Sequence, residues 1–227
     1  MSAIAEIKII HIADMQYEIR TGGKTAQRYN EMKYVNDKAI NYIKSSKPEI
    51  VIIAGDIYQY CDANGDETKM FSFLLKSIMD HTTRIIIIPG NHDVKQRSNT
   101  IFVDDGEQSV NDHIDSVVFS IGNDKISYYQ DSGFYKDNTY DITWVVWSQK
   151  TKHSNSSNLP YNPWEIEDRE DFNTSSEIEL FHDPVKSCTD FDGKEKKHFK
   201  DYHITYDTFG CNTVIAGDIH IPMVYRK

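Results

Sequence analysis

IIIIPGNHD, residues 85–93, is the stretch that decides the fold class. Four successive isoleucines with no polar alternation read as a strand buried on both faces. Pro89 ends the run, and Gly90 lets the chain turn sharply and bring its backbone close to a ligand. Directly behind that turn stand an amide, an imidazole and a carboxylate: Asn91, His92 and Asp93.

Upstream, Ile7 to Ile12 and Ile50 to Ala54 are runs of the same kind. Between them, Arg28 to Ser46 places Met32, Val35, Ala39, Ile40 and Ile43 at helical spacing, and Lys47-Pro48 closes the helix. Glu67 to His81 repeats the pattern with Met70, Phe71, Leu74, Leu75 and Ile78. A β-α-β-α-β opening implies parallel strands joined by right-handed crossovers, with the post-strand loops on the sheet edge where ligands bind.

Downstream, Val117 to Trp147 reads as further strands with turns at Gly122-Asn123 and Asp131-Ser132-Gly133. Ile142 to Trp147, Ile178 to Phe181 and Thr213 to Ala216 are short apolar runs that suggest buried strands, and Ser154 to Asn173 is a long irregular or partly helical connection. The apolar runs on both sides of it are needed for one core, so a single domain over residues 1–227 is expected.

A formal charge of −10 argues against a protein that grips polyanions, but the charge is unevenly spread. Glu18 to Lys47 holds seven Lys and Arg against three acids, while acid collects in Asp104 to Asp124 and Glu165 to Asp183. Cys61, Cys188 and Cys211 stand far apart with no CxxC pair, which favours a reducing, intracellular setting over a disulfide framework or thiolate zinc site. The start, MSAIAEIKIIHIAD, is wrong for a signal peptide and too short to span a bilayer, so neither secretion nor a membrane is expected.

The positions directly after the strands hold Asp14 and Gln16, then Asp56, then Asn91, His92 and Asp93, then His182, then Asp218 and His220. Carboxylates, amide oxygens and imidazoles gathered from several strand ends suit a pair of divalent ions, with Asp56 as the natural bridge. A single Gly-Asp after a strand is more often a turn than a ligand. Five clusters in order carry more weight.

This series, Asp14-x-Gln16, Gly55-Asp56, Gly90-Asn91-His92-Asp93, His182 and Gly217-Asp218-x-His220, resembles the calcineurin-like metallophosphoesterases, whose pattern is DxH, GDx, GNHD/E, H and GHxH. Its order and spacing are most similar to the SbcD-type nucleases of double-strand-break repair and their phage and viral relatives. The resemblance runs from Ile7 to His220, and GNHD is its most specific part.

The resemblance implies an α/β fold, a four-layer α-β-β-α sandwich of two mixed sheets with a two-metal site. It puts Asp14, Gln16, Asp56 and His220 on one ion, and Asp56, Asn91, His182 and Asp218 on the other. The two AGDI segments, at residues 54–57 and 216–219, are then two strand ends facing one metal pair rather than a repeat. His92 is expected to protonate or stabilise the leaving oxygen, with Asp93 orienting it.

Gln16 and Asp218 stand where the family has histidines, which favours oxygen-loving Mn²⁺ or Mg²⁺ over zinc. Gln59 replaces a histidine that contacts phosphate in the nuclease relatives. Only Ile221 to Lys227 follows His220, so the C-terminal capping and partner-binding regions of the relatives are expected to be lacking.

The resemblance implies DNA ends, single- or double-stranded, as substrate and an SbcC-type coiled-coil ATPase as partner. It leaves room for a homodimer and for a C-terminal portion supplied in trans. The alternatives are a phosphodiesterase or phosphatase acting on a small nucleotide or phosphoprotein, and a non-catalytic scaffold.

Other features have plainer readings. His11 is a structural histidine, Asp62-x-Asn64-x-Asp66 an exposed Asn-Gly turn rather than a calcium loop, and the tryptophans packing residues. Lys186 to Lys200 reads equally as a phosphate-tracking segment or a solvated loop.

Overall fold

The structure, a computed structural model, describes residues 6–19, 25–94, 101–102, 108–109, 113–148, 160–166, 174, 176–183, 185 and 204–218. The chain divides into two compact units. The first holds residues 1–53, 57–87 and 92–128, and the second residues 54–56, 88–91 and 129–227.

The first unit is built on a four-stranded sheet in the order β1 (Ile9–Ile12), β2 (Ile50–Ala54), β3 (Arg84–Ile88), β6 (Ile126–Tyr128). β1 pairs with β2, and β3 with β6, in parallel. Helices α1 (Thr25–Ser46) and α2 (Gly65–Ile78) supply the crossovers. From β2 and β3, Val51, Ile53, Ile85 and Ile87 pack with Ile40 and Ile43 of α1 and Phe71, Leu74 and Leu75 of α2. The alternate residues Ile50, Ile52, Ile86 and Ile88 are equally buried, as strands covered on both faces require.

Two sequence expectations are corrected. Val117 to Ile121 is not strand but the end of α4 (His113–Ile121). Ile114, Val117, Val118 and Ile121 fall three, four and seven residues apart, so one helical face meets the core, and α4 packs on α2. Asn64-Gly65 is not an exposed turn but the start of α2: Asn64 caps the helix, accepting from the Asp66 and Glu67 amides, while Glu67 returns a bond to the Asn64 amide.

Between β3 and α4 lie α3 (Asn91–Val94) and a small antiparallel pair, β4 (Ile101–Phe102) with β5 (Gln108–Ser109).

The second unit carries a mixed sheet in the order β10 (Val214–Gly217), β9 (Ser176–His182), β8 (Ile142–Trp147), β7 (Gly133–Asp137). β7 runs antiparallel to β8, and the other pairs are parallel. Trp147, Phe181, Val185, Ile204 and Phe209 form its aromatic-rich core. Trp144 and Trp147 are buried, as packing residues should be, and His11 on β1 is exposed. Lys186 to Lys200 and most of Ser154 to Asn173 lie outside the described residues.

Candidate metal centre

The second unit gathers its donors at the ends of β2, β9 and β10 and at the start of α3. Asp56 follows β2, Asn91 opens α3, His182 ends β9 and Asp218 follows β10. A carboxylate oxygen of Asp56, a ring nitrogen of His182 and a carboxylate oxygen of Asp218 all lie within 4.8 Å of one another. Asp56 and His182 are fully buried.

His182 Nδ1 lies 2.6 Å from the Ala54 carbonyl oxygen. A carbonyl only accepts, so Nδ1 carries a proton, and Nε2 faces Asp56 Oδ1, 3.2 Å away. Two electron-rich atoms at that distance repel unless a cation or a proton joins them. A histidine held through one nitrogen by a carbonyl, with the other beside a carboxylate, is the arrangement metal sites use to fix the coordinating nitrogen. Asn91 Oδ1 is also buried with no hydrogen-bond partner. These donors fit a divalent ion with mixed oxygen and nitrogen ligation.

Backbone conformation points the same way. Asp14 (φ 55°), Gln16 (φ 45°), Asp56 (φ 50°) and Asp218 (φ 61°) are four of the six non-glycine residues with left-handed backbone among those described. Such conformations are costly outside glycine and collect where function holds them.

Two glycines make the approach feasible. A Cβ on Gly90 would overlap the backbone nitrogen and a carboxylate oxygen of Asp56, and one on Gly217 would overlap the Ala54 carbonyl and His182 Nδ1. Gly90→Ala should therefore lower stability by about 1–3 kcal/mol and weaken divalent-cation binding, read by urea melts and calorimetry. Gly65→Ala, where a Cβ meets nothing within 4 Å, should be nearly neutral. Equal behaviour of the two variants would remove the packing argument.

The first unit carries Asp14, Gln16, His92 and Asp93. Asp14 and Gln16 stand on the segment after β1, and that segment is tied at several points. Tyr17 N donates to the Ile57 carbonyl (2.9 Å), and Gln59 N to the Tyr17 carbonyl (3.1 Å). Ile19 N donates to Glu67 Oε1 (2.7 Å), and Asn64 Nδ2 to the Ile19 carbonyl (2.7 Å). The buried Tyr17 hydroxyl donates to Asn36 Oδ1 at 2.5 Å, and burial pushes its pKa well above the ordinary phenol value, so it stays a donor.

His92 Nδ1 lies 2.8 Å from the Gln59 carbonyl oxygen. The two Asp93 oxygens accept from the Ile57 amide (3.2 Å) and the Tyr58 amide (2.9 Å). Asp93 thus holds the backbone leading into Gln59, and the Gln59 carbonyl meets the imidazole. His220 lies outside the described residues.

A family model for calcineurin-like phosphoesterases matches residues 7–222. The chain belongs to that family. It is also similar to the SbcD component of the nuclease SbcCD from Staphylococcus saprophyticus, with 32% identity over 94 residues. That match takes in 41% of this chain and 24% of the relative, so it spans about a quarter of that protein's length. The crystal structure of phosphopantetheinyl hydrolase from Mycobacterium tuberculosis superposes over 97% of this chain and 86% of that one, with a TM-score of 0.50 and 15% identity, a likeness of fold alone. A calcineurin-like phosphoesterase with an Asp/His group able to hold a metal is thus a metal-dependent hydrolase by family.

Sequence reasoning did not find the main-chain acceptors at Ala54 and Gln59, because a carbonyl leaves no mark in residue identity. The Asn64/Glu67 clamp did have a signal, the N-x-x-E spacing of a capping box.

Proposed function

We propose that residues 1–227 act as one phosphoesterase domain that hydrolyses phosphodiester bonds in DNA, as a nuclease working with an SbcC-type coiled-coil ATPase. The observation that carries the reading is the Asp56–His182–Asp218 group within 4.8 Å, its Asp56 and His182 fully buried, in a chain similar over 94 residues to a nuclease component. The basic segment Glu18 to Lys47 supports a polyanionic substrate. The scattered cysteines, with no CxxC pair, support an intracellular setting. No helix among the described residues is long and apolar enough to cross a membrane.

Asp14, Gln16, Asp56 and His220 would hold one ion, and Asp56, Asn91, His182 and Asp218 the other. With carboxylate and amide oxygens outnumbering imidazoles in this set, Mn²⁺ or Mg²⁺ suits it better than zinc. Such ions, when bound, polarise a phosphate and activate water at neutral pH. His92, with Nδ1 committed to the Gln59 carbonyl, exchanges protons through Nε2 and would deliver one to the leaving oxygen.

The formal charge of −10 favours a second reading, a phosphatase or phosphodiesterase on a small nucleotide or phosphoprotein. Mn²⁺-dependent hydrolysis of linear duplex and single-stranded DNA, beside a chromogenic phosphodiester, separates the two. The nuclease reading expects DNA cleavage whose binding step weakens steeply with salt. Turnover of the small ester alone, with no salt-sensitive DNA binding, would replace it with the second.

A further inference from the structure

Glu179 lies in the middle of β9 with no exposed surface, three residues before His182. Its Oε1 accepts from Trp164 Nε1 (2.7 Å), Trp147 Nε1 (3.1 Å) and the Gly210 amide (3.2 Å). Its Oε2 accepts from the Cys211 amide (2.9 Å). Four N–H donors around one buried carboxylate form a charge-assisted network that meets its hydrogen-bonding needs.

The donors reveal what the network ties together. Gly210 and Cys211 belong to the turn that feeds β10, and the strand begins three residues later at Val214. That turn is held from the other side as well: the Trp164 ring lies so close to Gly210 that a Cβ there would meet it at 2.5 Å. Phe209 packs edge-on against Trp147 and Phe181, at 5.5 and 5.2 Å between ring centroids.

β10 is a four-residue strand at the end of its sheet, paired with β9 in the register Val214↔Glu179 to Gly217↔His182. A short edge strand specifies its own register weakly. Here the register has a strict requirement: the residue opposite His182 must be Gly217, because a side chain there overlaps the Ala54 carbonyl and the imidazole. A slip by one residue would bring Ala216 or Asp218 to that place.

We infer that Glu179 is a positioning residue for the metal centre: by gripping the Gly210 and Cys211 amides it sets the register of β10 on β9, and so the place of Asp218 beside His182. The register role stands on the geometry of the second unit alone. Its consequence for cation binding rests on the proposed reading of Asp218 as a ligand.

The test compares wild type with Glu179→Gln, which preserves the shape and one acceptor oxygen but puts an amide NH₂ where a carboxylate oxygen now stands. Amide hydrogen exchange is followed along the whole chain, and Mn²⁺ affinity is measured by calorimetry well below the melting temperature.

Exchange at residues 214–217 should rise about tenfold, matching the loss of a charge-assisted bond, with α1 and α2 as protected as in wild type. Mn²⁺ affinity should fall about tenfold or more. A purely structural role would loosen the whole second unit, β8 included, and leave the affinity of the folded protein unchanged. Wild-type protection at 214–217 in the variant would overturn the register role. A wild-type chain that binds no Mn²⁺ would instead sink the metal reading, and exchange at 214–217 would still decide the register role.

Discussion

Asp56→Asn should abolish Mn²⁺ binding and, with it, the stabilisation that Mn²⁺ confers. Asp56 is fully buried, with Oδ1 3.2 Å from the Nε2 of a histidine whose other nitrogen is committed to the Ala54 carbonyl. In the cation-free state a proton must join the two atoms, and a bound cation takes that proton's place. Asparagine has the same shape, carries no charge and can turn its NH₂ toward Nε2. The same change removes the anionic ligand proposed to bridge two cations.

Thermal melts with and without Mn²⁺ read the loss. Wild type should gain RT ln(1 + [L]/Kd), about 2.7 kcal/mol at a hundredfold excess over Kd, or roughly 5–10 °C for a chain of this size. The variant should gain nothing, and its hydrolysis should fall by at least about 10³-fold, a loss of about 4 kcal/mol. A variant still stabilised by Mn²⁺ would show that Asp56 is not the bridge.

How much of this was legible in the sequence depended on whether side-chain pattern or main-chain geometry carried the information. Ile85 to Ile88 declares a doubly buried strand because β-branched runs without alternation have few other uses, and the structure buries all four residues. The same logic misread Val117 to Ile121. Its apolar residues are dense enough to look like strand, and only Ile114, at the start of α4, completes the helical face.

At the site, the gathering of Asp56, His182 and Asp218 was legible because donor residues directly behind buried strands share an edge in a parallel sheet. Glu179 was not. Inside a strand it looks like an ordinary polar position, and its four N–H donors come from residues 15–32 places away along the chain. The backbone state of Asp14, Gln16, Asp56 and Asp218 was equally hidden, since nothing in the residue type of glutamine forecasts a left-handed φ.

His92→Ala should do the reverse of Asp56→Asn, leaving the Mn²⁺ isotherm unchanged while turnover of DNA drops about 10²–10⁴-fold. His92 is partly buried on the short helix α3, with Nδ1 2.8 Å from the Gln59 carbonyl, and the proposed ligand sets do not include it. Its proposed work is proton delivery from Nε2, and that role makes a sharper claim than loss of activity. A DNA phosphodiester expels a sugar alkoxide, which needs a proton as the bond breaks. A nitrophenyl ester expels a phenolate that is stable without one. Proton delivery therefore predicts a large His92→Ala defect on DNA and a much smaller defect on the chromogenic ester. Equal defects on both substrates would mean that His92 acts by holding the phosphate, with its imidazole as a binding group rather than an acid.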